Sequence, residues 1–187
     1  MPYSSPDPGR TEDEARNLEQ LQDVSVKVLE QAVDLLNNSL SSDDQLTYNS
    51  KFLPGSTIGK HLRHARDHFA LLLACAASQP PHVMSYDTRS RNTPMESSRL
   101  AALDAIKDII STLEDVVPRS RLDTPLTLNA VTPYEQTFQS TFGREVMDYS
   151  ALVDPRLNHR AAALVRCSAR RAPLVDGEHF FVYDVTL

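Results

Sequence analysis

Proline decides where this chain can be helical. Pro54, Pro80, Pro81, Pro94, Pro118 and Pro155 punctuate it, and a proline inside a helix removes a hydrogen bond and clashes with the preceding turn. Between these breaks, apolar residues recur at the spacing of one helical face. The first stripe is Leu18, Leu21, Val24, Val28, Ala32, Leu35 and Leu36, running on to Leu40. Thr11 with Glu14 three residues later forms a capping box ahead of it, and Ser41 to Asp44 closes it. The second stripe, Ile58, Leu62, Ala65, Phe69, Leu72, Leu73 and Ala76, predicts a helix over about 57–77, capped by Ser56 or Thr57. The third, Leu100, Leu103, Ile106, Ile110 and Leu113, starts near Pro94 as an N1-type proline and ends before Pro118. A last helix begins near Ser140 or Thr141, with Phe142, Val146, Tyr149 and Val153 on one face and Pro155 inside it. Residues 123–131 and 136–141 alternate like a two-stranded ribbon. The pattern predicts an all-α fold, an antiparallel four-helix bundle with a short β-ribbon before the last helix.

The chain of 187 residues is the size of one domain. Residues 1–11 read as a disordered arm, 12–172 as the helical domain and 173–187 as a C-terminal tail. A net charge of −6 argues against a nucleic-acid partner. No apolar run approaches the roughly 20 residues that span a bilayer, so no membrane partner is expected. The polar, proline-rich N-terminus has no signal-peptide core, and Cys75 and Cys167 fit no CxxC pattern. These features predict a cytoplasmic protein with reduced thiols. Small bundles commonly form homodimers.

Three of the six histidines fall within eight residues of the second helix. At 100° per residue, His61, His64 and His68 lie within about 60° of one another, beside the apolar stripe. One ion cannot take all three, because His61 and His68 are about 10.5 Å apart along the axis. His64 is the member common to either neighbouring pair. A four-coordinate site for a divalent transition metal (Zn, Ni or Fe) needs further ligands from another helix. His159 is the histidine of the last helix, Asp154 offers a carboxylate beside Pro155, and the site is incomplete.

The connection between the second and third helices carries Tyr86, Asp87, Arg89, Arg91, Thr93 and Glu96. In extended chain Arg89 and Arg91 point the same way, and paired arginines hold a carboxylate or phosphate. They are the candidate anion-binding residues, for a small anionic ligand. Asp87 and Glu96 can instead neutralise them and lock the loop to the bundle. No GxSxG, P-loop or GxGxxG motif is present, and no catalytic residue is assigned.

Three ordered segments carry a resemblance. Ser56 to His68 contains Gly59, His61, Arg63, His64, Asp67 and His68 in the pattern S-x-G-x-H-x-R-H-x-x-D-H, with one residue more between serine and glycine. Tyr86-Asp87-Thr88-Arg89-Ser90-Arg91-Asn92-Thr93-Pro94-Met95-Glu96 matches Y-D-x-R-x-R-x-T-P-x-E. Ser140-Thr141-Phe142-Gly143-Arg144-Glu145 matches S-T-x-G-R-E. On these segments the chain resembles the DinB-like (DinB/YfiT-type) four-helix-bundle superfamily, in an uncharacterised branch. The resemblance implies an up-down-down-up bundle with a metal at one end, held by one histidine of the second helix and two of the fourth. His64 then matches the first ligand and His159 one of the others. Asn158 falls on the first position of a final histidine pair, and Pro155 on the remaining ligand. It implies a protein related to metal-dependent enzymes of thiol-transferase or hydrolase type with an incomplete site and a small thiol ligand, or a non-catalytic binding protein on a degenerate bundle.

Overall fold

The computed structural model describes residues 10–51, 54–88, 90–130, 135–153, 172–173 and 179–180. Five helices follow in order: α1 (Glu12–Asp34), α2 (Asp44–Thr47), α3 (Ile58–Ala76), α4 (Arg99–Val116) and α5 (Phe142–Val153). Among them run β1 (Val83–Met84), β2 (Pro125–Ala130) and β3 (Gln136–Thr141), with β4 (Ala172–Pro173) and β5 (His179–Phe180) after α5.

The caps are where side-chain chemistry puts them. The Thr11 hydroxyl accepts from the Glu14 N–H, and Thr57 does the same for the Lys60 N–H, satisfying donors that the first helical turn leaves open. The third long helix starts later than Pro94 suggests. Pro94–Glu96 is one 3-10 turn, the chain leaves helical geometry at Ser97, and Ser98 caps α4 through the Ala101 N–H. At its far end α1 widens into a π-helical turn, Leu35–Ser39. Arg99 donates from Nε and a terminal nitrogen to the Leu36 carbonyl oxygen there, at 3.3 and 2.9 Å.

The fold is not the all-α bundle that periodicity predicts. β2 and β3 pair antiparallel, with Leu126 opposite Ser140 and Leu128 opposite Phe138. β1 adds to β2 in parallel, Met84 opposite Leu128, giving a three-stranded mixed sheet in the order β1-β2-β3. The sheet belongs to the core. Leu126 and Met84 are buried with Phe69 and Leu72 of α3, Ile106 and Leu113 of α4, Leu18 and Leu29 of α1, and Phe142 and Val146 of α5. Strand alternation sends Leu126 and Leu128 toward the helices and Thr127 and Asn129 outward. The result is helices on one face of a small sheet. No helix among the described residues is long and apolar enough to cross a membrane. Residues 1–9 of the expected arm, residues 154–171 at the end of the expected helical domain and most of the expected tail, 173–187, lie outside the described residues.

Gly59, in the first turn of α3, lies against the backbone of the Pro94–Glu96 turn. A Cβ at this position would sit 2.1 Å from the Glu96 carbonyl oxygen, and neither backbone can yield as a side chain tip would. Gly59→Ala is expected to lower unfolding free energy by about 1–3 kcal/mol through overpacking, although alanine is the better helix former. Urea denaturation checks this, and an unchanged or raised midpoint contradicts the close approach.

Candidate functional site

The histidines of α3 separate into two groups. His61 Nε2 lies 2.6 Å from Ser56 Oγ, a residue of the turn before the helix. His64 and His68, one helical turn apart, bring their Nε2 atoms to 3.0 Å with their rings edge to face, centroids 4.2 Å apart. The His68 ring also contacts Tyr86, centroids 5.1 Å apart. Tyr86 follows β1, and its hydroxyl donates to Glu145 Oε2 at 3.0 Å. Ser140, on β3, donates to Glu145 Oε1. A polar line therefore runs from His64 through His68 and Tyr86 to Glu145 and Ser140, drawing on α3, the segment after β1, α5 and β3.

Glu145 stands in the first turn of α5 and is 6% exposed. Its neighbours Phe142 and Val146 are core residues. A carboxylate has about four acceptor sites, and two hydroxyl donors fill two of them. Among the described residues no lysine or arginine forms an ion pair with it. The other buried carboxylates of this end are built differently. Asp67 lies 3.4 Å from Arg63 and 3.2 Å from Arg66, and the Ser90 N–H donates to it at 3.3 Å. Glu96 Oε1 lies 2.9 Å from Arg63 Nε, an ion pair whose N–H is not aimed along a hydrogen bond. Arg63, Arg66, Asp67 and Glu96 thus form a charge-balanced, largely buried network that fastens the 86–96 connection to α3. Chemically, the Tyr86–Glu145 pair offers a proton donor and acceptor in contact, with imidazoles alongside.

The structure brings His64 and His68 together and leaves His61 with Ser56. His159 and Asp154 lie outside the described residues, as does Arg89; Arg91 is exposed. Among the described residues no three His, Cys, Asp or Glu side chains converge as ion ligands. The expected metal-binding centre is corrected on this point. His64 and His68 supply two nitrogens turned toward each other, while a structural zinc ion takes four ligands. Tyr86 and Glu145 were not among the sequence candidates. The available signal is that Glu145 falls three residues after Phe142, beside an apolar stripe, where a carboxylate is out of place.

Other features lie apart from this line. His82 Nδ1 is 2.9 Å from the Cys75 carbonyl oxygen. Burial pushes the Cys75 thiol up, which keeps it protonated and unreactive at neutral pH. An open cleft of about 390 Å³, lined by Ala76, His82, Arg119 and Arg121 among others, lies at the C-terminal end of α3.

No family model and no solved structure matches the chain. It is 34% identical over 128 residues to a protein described as FK506-binding protein 5, from Rhizopus delemar. The alignment takes 66% of this chain and 27% of that protein, so the chain spans about a quarter of the length of the curated relative it matches. These findings overturn the DinB-like resemblance and the metal-dependent or degenerate-bundle function it implied. The similarity runs to a protein with a different description, and the sheet and the two-histidine contact depart from the implied architecture.

The Tyr86–Glu145 contact has a measurable strength. Tyr86→Phe leaves one carboxylate oxygen without its donor and is expected to cost about 1–3 kcal/mol of stability. In a double-mutant cycle with Glu145→Gln the two changes should be non-additive by about 0.5–3 kcal/mol. Additivity within about 0.3 kcal/mol in chemical denaturation would show that the hydroxyl and the carboxylate do not interact in solution.

Proposed function

We propose that this domain binds a small hydrogen-bond donor, a protonated amine in particular, at Glu145. The supporting observation is the contrast between acidic groups of one end of the molecule. Asp67 and Glu96 are buried beside arginines, whereas Glu145 is buried with two hydroxyls. Burying a carboxylate without a counter-charge is expensive, and a bound ammonium supplies both the charge and the remaining donors. Tyr86 and Ser140 fix the carboxylate from either side, so it is oriented before the ligand arrives. A carboxylate disfavours the anionic ligand expected at Arg89 and Arg91 as an occupant of this site. The same reading places the domain in the cytoplasm, where small amines are available in solution.

Methylamine is the simplest probe. With two non-hydrogen atoms and a ceiling of about 1.5 kcal/mol each, its dissociation constant is on the order of 10 mM. Saturable shifts of the amide resonances around Ser140 and Glu145 are expected, weakened about tenfold or more by Glu145→Gln. Shifts that do not saturate, or that persist in the variant, refute the reading.

The 34% identity to a protein named for binding FK506 favours a second reading, that this segment takes part in binding FK506. Calorimetric titration of the chain with FK506 should then give a saturable heat. A flat isotherm removes this reading and leaves the Glu145 site untouched.

A further inference from the structure

The β2–β3 hairpin has two chemically different faces. Outward, Thr127 donates to Gln139 and Thr137 to Asn129, at 3.4 and 3.1 Å, in a polar ladder suited to water. Inward, residues paired across the strands share a face. The row Met84, Leu128, Phe138 therefore crosses all three strands on the side that packs on the helices. Burial falls along that row. Met84 is 7% exposed, Leu128 is half-buried, and Phe138 is 50% exposed. The sheet overhangs the helices at this corner, and its apolar face continues past the point where the core ends.

That overhang adjoins the Glu145 site. Ser140, whose hydroxyl holds Glu145, is two residues from Phe138 on the same strand. Two residues of strand advance about 7 Å and return to the same face. Phe138 and Ser140 thus share one face of β3, and the carboxylate of Glu145 reaches the Ser140 end of that face from α5.

We infer that the overhanging half of the hairpin is the apolar wall of the Glu145 site, and that its ligand is an amine bearing an aromatic or branched aliphatic group. This rests on the reading of Glu145 as an ammonium acceptor and adds the part of the ligand that Glu145 does not touch. The ammonium meets the carboxylate, the Tyr86 oxygen lies beside it, and the apolar group covers Phe138 and Leu128. An aromatic ring also attracts a cation held within about 6 Å of its centroid. Charge favours this occupant. A chain with a net charge of −6 attracts cations and repels a second copy of itself.

The test titrates the whole chain with benzylamine and with methylamine, followed by amide chemical shifts, in the wild type and in Phe138→Ser, Phe138→Leu and Glu145→Gln. Benzylamine is expected to bind the wild type about tenfold or more tighter than methylamine. Phe138→Ser should bring the two affinities within about threefold, and Phe138→Leu should restore most of the preference. Phe138 is half-exposed, and thermal melting of each variant confirms that it folds. A benzylamine preference that survives Phe138→Ser while Glu145→Gln abolishes binding overturns the wall and leaves the amine site standing. Failure of both amines to bind, or binding indifferent to Glu145→Gln, removes both. Sedimentation velocity supplies the last arm: a dimer that dissociates on Phe138→Ser shows that a second copy covers this face and overturns the inference.

Discussion

Gly59 and the Glu96 backbone meet more closely than any side chain would allow, and the end of the molecule that carries Tyr86 and Glu145 is organised around that meeting. Because the two backbones touch, Arg63 reaches Glu96 on one side and Asp67 on the other. Asp67 in turn accepts from the Ser90 N–H. A connection that would otherwise wander over the surface is held at both its middle and its end. With that segment fixed, Tyr86 can stand between His68 and Glu145. Removing any one member of such a balanced network leaves a buried charge without its partner, which is why networks of this kind behave as units.

The helices were largely legible in the sequence, because their signals are local. Thr11 and Thr57 advertise their caps, and the apolar stripes of α1, α3 and α4 are long enough to show a period. What was missed is non-local. A two-residue strand such as Val83–Met84 has no period to read, yet its parallel pairing with β2 turns a ribbon into a mixed sheet and changes the fold class. The start of α4 was misplaced because Pro94 is a good first residue for either a 3-10 turn or an α-helix. Ser98, four residues later, is the residue that caps α4.

The site was half legible. Helical geometry places His64 and His68 side by side from spacing alone. Two imidazoles one helical turn apart supply only half of a four-coordinate metal site. Among the described residues no third ligand joins them, and their Nε2 atoms lie 3.0 Å apart. The segments that suggested a DinB-like bundle contain Gly59, Arg63, Asp67, Tyr86, Glu96 and Glu145. In the structure these are the residues that pin the 86–96 connection and hold the Tyr86–Glu145 contact. The pattern encodes how a loop is anchored, and an anchored loop does not by itself imply a bound ion.

One buried contact far from the histidines bears on all of this. Ser25 of α1 and Ser150 of α5 meet through their hydroxyls at 2.7 Å, and each also lies 2.8 Å from the carbonyl oxygen four residues before it. Two side chains this small let α1 and α5 lie close, as small residues do wherever backbones must approach. Ser150 is five residues beyond Glu145, about 7.5 Å along the same rod. The gap between α1 and α5 therefore acts as a fulcrum: a bulkier pair at this crossing would tilt α5 and swing its opposite end, with the acid it carries, away from the tyrosine.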